Sequence, residues 1–124
     1  MRIKITTQST GSVTATLSDE NPVTAKAIID ALPITGHANL WGDEIYFSIP
    51  VDVPEENGKT VVEKGDIAYW PPGKAFCIFF GLTPVSDANV IRPASEVNVI
   101  GKIDGDPEIF MEVDNGEKIS IEKA

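Results

Sequence analysis

Residues 65–84 read GDIAYWPPGKAFCIFFGLTP. Five of the nine aromatic residues of the chain, Tyr69, Trp70, Phe76, Phe79 and Phe80, fall in this one stretch. Pro71-Pro72-Gly73 divides it. Proline lacks the N–H that a ladder or a helix needs, so the centre is a rigid connection and the flanks, 67–70 and 74–80, read as strands. An aromatic-rich hairpin of this kind builds one wall of a barrel and can also floor a surface groove.

The stretches on either side repeat the pattern. Residues 2–8 alternate, with Ile3, Ile5 and Thr7 on one face. After a turn at Thr10-Gly11-Ser12, residues 12–17 alternate again through Val13, Ala15 and Leu17, which makes a first hairpin. The period then changes. Asn21-Pro22 reads as an N-cap followed by proline at the first helical position. Ala25, Ile28, Ile29 and Leu32 follow as one apolar stripe, and Pro33 stops the helix.

Residues 35–40 and 44–51 read as strands joined by Trp41-Gly42-Asp43, with Ile45, Phe47 and Ile49 on one face. Asn57-Gly58 suits a type I′ hairpin turn, leading to a short strand at 60–62. Residues 83–94 look irregular, 97–103 form a strand, and Asp106-Pro107 caps a helical turn carrying Ile109, Phe110 and Val113. Residues 118–122 close the chain as a strand with Ile119 and Ile121 inward. About eight short strands and one long helix in 124 residues predict a single mainly β domain, 1–124. The expected form is a closed eight-stranded barrel capped by one long and one short helix.

Composition excludes several classes of function. The net charge of −9, with scattered lysines and only Arg2 and Arg92 as arginines, argues against nucleic acid. The acidic excess is read as a solubilising surface, since no local cluster points to a cationic partner. No apolar run is long enough to span a membrane, and the alternating start is a strand instead of a signal peptide; the expected compartment is the cytoplasm. Cys77 is the only cysteine, set between Phe76 and Ile78, and is read as a buried structural thiol. One histidine and no carboxylate cluster at ligand spacing leave no expected metal site, and no cofactor motif is present.

The order of elements resembles the cyclophilin fold. A first hairpin leads into a helix over 2–32, and NVIGKIDGDPEIFMEV (98–113) followed by NGEKISIEKA (115–124) matches the family's late strand, short helix and closing strand. WGDEIYFSIP (41–50) and GDIAYWPPGKAFCIFFG (65–81) resemble more specifically a group of short prokaryotic cyclophilin-like proteins whose activity is not established. The resemblance implies peptidyl-prolyl isomerase chemistry, in which an arginine of a Phe-His-Arg strand motif stabilises the twisted amide. This chain has no such motif, and Gln8 is its only glutamine where the family carries a glutamine-rich signature.

The expected function is therefore a cyclophilin-like module that holds a small molecule or an extended peptide without standard isomerase chemistry. An isomerase with a rebuilt active site is the alternative, and an oligomer-forming protein is a third. The expected groove is walled by Trp41, Glu44, Tyr46, Trp70 and Phe76, with His37 as a polar contributor. Glu44 and Tyr46 share strand parity opposite Ile45, Phe47 and Ile49, which would place them outside the barrel. The plain readings are an exposed glutamate, a solvent-facing histidine and a tight corner around Trp70. Lys74 beside that corner is in reach of an acidic ligand.

Overall fold

The computed structural model describes residues 1–124. Nine strands form one sheet: β1 (Arg2–Thr7), β2 (Gly11–Leu17), β3 (Ile34–His37), β4 (Asn39–Leu40), β5 (Glu44–Ser48), β6 (Asp66–Trp70), β7 (Ala75–Phe79), β8 (Asn98–Ile103) and β9 (Lys118–Lys123). Their order is β3-β9-β1-β2-β8-β6-β7-β5-β4, and every neighbouring pair is antiparallel. One long helix, α1 (Pro22–Ala31), and two 3₁₀ turns, Pro71–Gly73 and Pro107–Glu112, complete the chain. No helix is long and apolar enough to cross a membrane.

The two ends of this order, β3 and β4, are halves of one extended segment, residues 34–40. Its first half pairs with β9 and its second with β5. The changeover is at Ala38, fully buried, whose N–H donates to the Glu117 carbonyl and whose carbonyl accepts from Gly116 N–H. The sheet thus curls into a nearly closed barrel of eight walls, one of them shared by two short ladders. Where β3 meets β5 no ladder forms, and Gly36 lies directly over Phe47: a Cβ there would fall 2.7 Å from the Phe47 ring.

The alternation along the strands fills the interior. Ile3, Ile5, Ile45, Phe47, Ile67, Tyr69, Phe76, Ile78, Ile119 and Ile121 share one core with Ile28 of the helix and Phe110 of the second 3₁₀ turn. The Tyr69 hydroxyl donates to the Val51 carbonyl at 2.6 Å, which satisfies the one polar atom that this ring brings inside. Asp106 caps the second 3₁₀ turn by accepting from Glu108 N–H. Phe110 and Val113 are buried, while Ile109 is exposed.

Two expectations fail here. Asn57-Gly58 makes no hairpin, and 60–62 is no strand: Lys59 and Val62 form only single bridges, to Val97 and Ile91. The loop is used for the helix instead. Asn21 does not cap α1 through its side chain; its Oδ1 accepts from Asn57 N–H and its Nδ2 donates to the Val99 carbonyl. The carboxylate of Glu56 takes the capping role, accepting from the Val23 and Thr24 amides and the Thr24 hydroxyl. Desolvation pushes the Glu56 carboxyl up, and the three hydrogen bonds together overcome it, leaving it below its ordinary value.

The closure at Gly36 gives a direct test. Gly36→Val drives a branched side chain into the Phe47 ring. Urea unfolding is expected to show a loss of about 1–3 kcal/mol, the range for overpacking a filled core; an unchanged midpoint would mean that β3 and β5 are not held together there.

Candidate functional site

The outer face of β5, β7 and β6 carries the residues that the interior does not use. In β5, Ile45 and Phe47 point inward, so Glu44 and Tyr46 point outward. Trp41 is placed opposite Glu44 by two backbone hydrogen bonds, Trp41 N–H to the Glu44 carbonyl at 2.9 Å and Glu44 N–H to the Trp41 carbonyl at 3.2 Å. The pair therefore sits side by side across the mouth of the hairpin. Gly42 makes this turn possible: its φ is +60°, and a Cβ would come within 2.9 Å of the Leu82 carbonyl oxygen.

Trp70 ends β6. Its indole N–H donates to Ser95 Oγ at 2.7 Å, and its six-membered ring lies against Gly73, where a Cβ would fall 2.7 Å away. The Pro71–Gly73 turn thus fixes the ring from below and Ser95 fixes it at its edge. Lys74 turns away from this surface and pairs with Asp52 at 3.4 Å, both side chains being largely exposed. The expected reach of Lys74 toward an acidic ligand at the groove is not what the geometry gives.

Residues 81–97 fold back over this outer face. Ile91 and Val97 pack with Val62, Ala68, Ala75, Cys77, Phe79 and Val99 as a second apolar cluster, with Tyr46 and Trp70 at its edge. The loop holds its own shape: Ser86 Oγ accepts from the Thr83 and Arg92 amides, and the Thr83 hydroxyl donates to the Arg92 carbonyl. Between loop and sheet remains a cavity of about 290 Å³, lined by Trp41, Glu44, Tyr46 and Trp70 from the sheet side and by Pro93, Ala94 and Val97 from the loop.

Four of the residues expected at a groove are therefore brought together. Two are not. Phe76 lies inside the barrel against Phe47, ring centroids 5.7 Å apart, because β7 registers Phe76 opposite Phe47 and Tyr69. His37 is exposed on β3 opposite Lys118, on the half of residues 34–40 that pairs with β9. The plain reading of Glu44 as exposed also fails, since only 6% of the residue is accessible. Pro93, Ala94 and Val97 were not anticipated at the cavity; Pro93 and Ala94 belong to an irregular loop whose course no periodicity encodes, and Val97, expected to open the strand over 97–103, forms a single bridge to Lys59 just before β8.

This arrangement can be set beside known proteins. The family model described as Cyclophilin-like matches residues 1–122. The chain belongs to the cyclophilin-like family. A solved structure of a hypothetical protein from Archaeoglobus fulgidus is similar to it over 100% of this chain and 95% of that one, at 52% identity and a TM-score of 0.86. None of the curated proteins compared with it matches.

Neither arginine of this cyclophilin-like chain lines the cavity. Arg2 pairs with Asp104 at 2.8 Å, and Arg92 with Asp87 at 3.0 Å. The one ionisable carboxyl in the wall is Glu44. Burial pushes it up to about 7, against a smaller downward pull from the neighbouring Cys77 thiol. Cys77 itself is buried, and burial followed by the Glu44 charge pushes its thiol well above the ordinary range. It is not a thiolate nucleophile in this setting. A carboxyl that changes charge near neutrality inside an aromatic wall can exchange a proton, donate a hydrogen bond when neutral, or face a cation when ionised.

The same shift has a stability consequence. The folded chain holds the Glu44 proton to about pH 7, while the ordinary value is 4.5. The contribution is fully present below about 4.5 and is lost as pH rises through about 7, by about 3 kcal/mol in all. Glu44→Gln removes this dependence. Urea unfolding is expected to show the variant gaining stability relative to the parent between pH 5 and 8; a constant difference across that range would contradict a buried, titrating Glu44.

Proposed function

We propose that this cyclophilin-like chain is a binding module whose ligand site is the cavity between the outer face of β5–β7–β6 and the 81–97 loop. The observation that carries the reading is a concave, mostly apolar wall with three aromatic residues and a single buried carboxyl. That is the usual make-up of a ligand site: apolar area supplies affinity and a few polar groups set orientation. At about 290 Å³ the cavity is small. It suits one ring, one side chain or the head group of a longer molecule, so a small molecule and an extended peptide inserting one side chain both meet its shape. Trp70 is pre-positioned by Ser95 and Gly73, so little freedom would be lost on binding.

The absence of a guanidinium from the wall supports a site without standard isomerase chemistry. Rotation about a prolyl amide needs a strong donor aimed at the twisted peptide. Both arginines are engaged in ion pairs elsewhere. A protease-coupled assay on a proline-containing peptide is expected to run at the uncatalysed rate. A rate enhancement that Trp70→Ala abolishes would replace the binding-module reading with that of an isomerase using a rebuilt site.

The binding reading is tested with a fragment set of single-ring and short aliphatic compounds, followed by tryptophan fluorescence and amide chemical shifts. Responses are expected at Trp41, Tyr46, Trp70 and residues 93–97, and Trp70→Ala should weaken them about tenfold or more. Shifts gathered on another face of the barrel would defeat it.

A further inference from the structure

We propose that the cavity between Trp41, Tyr46 and Trp70 takes an organic ammonium ion, with Glu44 as its counter-charge; this rests on the reading of the cavity as a ligand site. Three aromatic side chains line one small cavity, and aromatic rings attract cations over their faces, most strongly when the ion is taken out of water. Glu44 adds a formal negative charge to the same wall. It is 94% removed from solvent, and no lysine or arginine pairs with it.

An unpaired buried carboxylate is costly, and the free protein reduces that cost by holding a proton near neutrality. A cation entering the cavity supplies the missing partner and allows the proton to leave. The backbone pairing of Trp41 with Glu44 keeps ring and carboxyl adjacent, so one small ion meets both.

Other ligand classes fit less well. A hard metal ion needs several oxygen ligands, and this wall offers one carboxylate and one phenol. An anion would meet Glu44, a net charge of −9, and a neighbouring depression whose rim carries Asp52, Glu55 and Glu96. That depression begins one residue along the chain, at Pro71 and Ser95, directly beyond the Trp70 ring. Asp52 is offset by its pairing with Lys74, and Glu55 and Glu96 favour a positively charged molecule approaching the cavity. The acidic composition, which by itself indicates only a solvated surface, thus acquires a local focus.

The test compares two probes of one shape. Choline carries a trimethylammonium head, and its carbon isostere carries a tert-butyl group in the same place. At about pH 8, where Glu44 is mostly ionised, calorimetry is expected to show choline binding at least about tenfold more tightly than the isostere. Glu44→Gln should remove that preference while leaving the affinity for the isostere within about twofold. Trp41→Leu should reduce it without removing Glu44. A short peptide carrying trimethyllysine separates the two sources of such a head group. Tighter binding than choline points to a protein side chain, and weaker binding to a free small molecule; both orders support the ammonium class.

Equal affinity for choline and the isostere, or a preference unaltered by Glu44→Gln, would overturn the ammonium assignment and leave the ligand site standing. If neither probe binds and no fragment perturbs Trp41 or Trp70, the ligand site itself falls.

Discussion

Residues 34–37 pair with β9 and residues 39–40 with β5, and this division of one segment between two partners closes the barrel. An open sheet leaves two ladder edges exposed; here one segment satisfies both. Closure also sets the phase of every wall. With the interior filled by Phe47, Phe76 and Tyr69, a one-residue slip of β5 would turn Phe47 to the outside and drive Glu44 into the core. The cost of burying that carboxylate away from any cavity makes the observed phase the strongly preferred one.

The outer face that results is half core and half site. Its central residues, Ala68, Ala75, Cys77 and Val99, are small or apolar and accept the 81–97 loop as a cover. Toward the β4–β5 hairpin and the end of β6 the residues become large and amphipathic, and the cover no longer fills the space. The cavity is what remains where Trp41, Tyr46 and Trp70 stand up around Glu44. Fold and site are thus built from the two faces of the same three strands. A substitution at Phe47 or Phe76 would act on the cavity through the backbone, and one at Glu44 or Trp70 acts on it directly.

Much of this was legible from residue order, and the failures have physical causes. The parity of 44–49 separates Glu44 and Tyr46 from Ile45 and Phe47 because that strand has one polar-edged and one fully apolar face. Phe76 is different. All five residues of β7 are buried, so no alternation reveals its phase, and the Pro71–Gly73 turn resets the count between strands. His37 lies in the extended segment that leads to Trp41, yet the segment changes partners at Ala38, so nearness in sequence does not bring the two to a shared surface. The hairpin expected at Asn57-Gly58 loses to tertiary contacts, because Glu56 and Asn57 bond to the start of α1 and to Asn21.

From its residues alone the chain declares a mainly β barrel with one amphipathic helix, since hydrophobic periodicity and proline or glycine punctuation are local properties written in consecutive positions. The family likeness rests on the same local order. Which side chains share a cavity is not local. It depends on the register of β5, β7 and β6, on the partner change at Ala38, and on the path of an irregular loop that brings Pro93, Ala94 and Val97 over the sheet. The burial of Glu44 among aromatic rings, and with it the altered acidity of its carboxyl, comes into being only when those distant segments meet and exclude water.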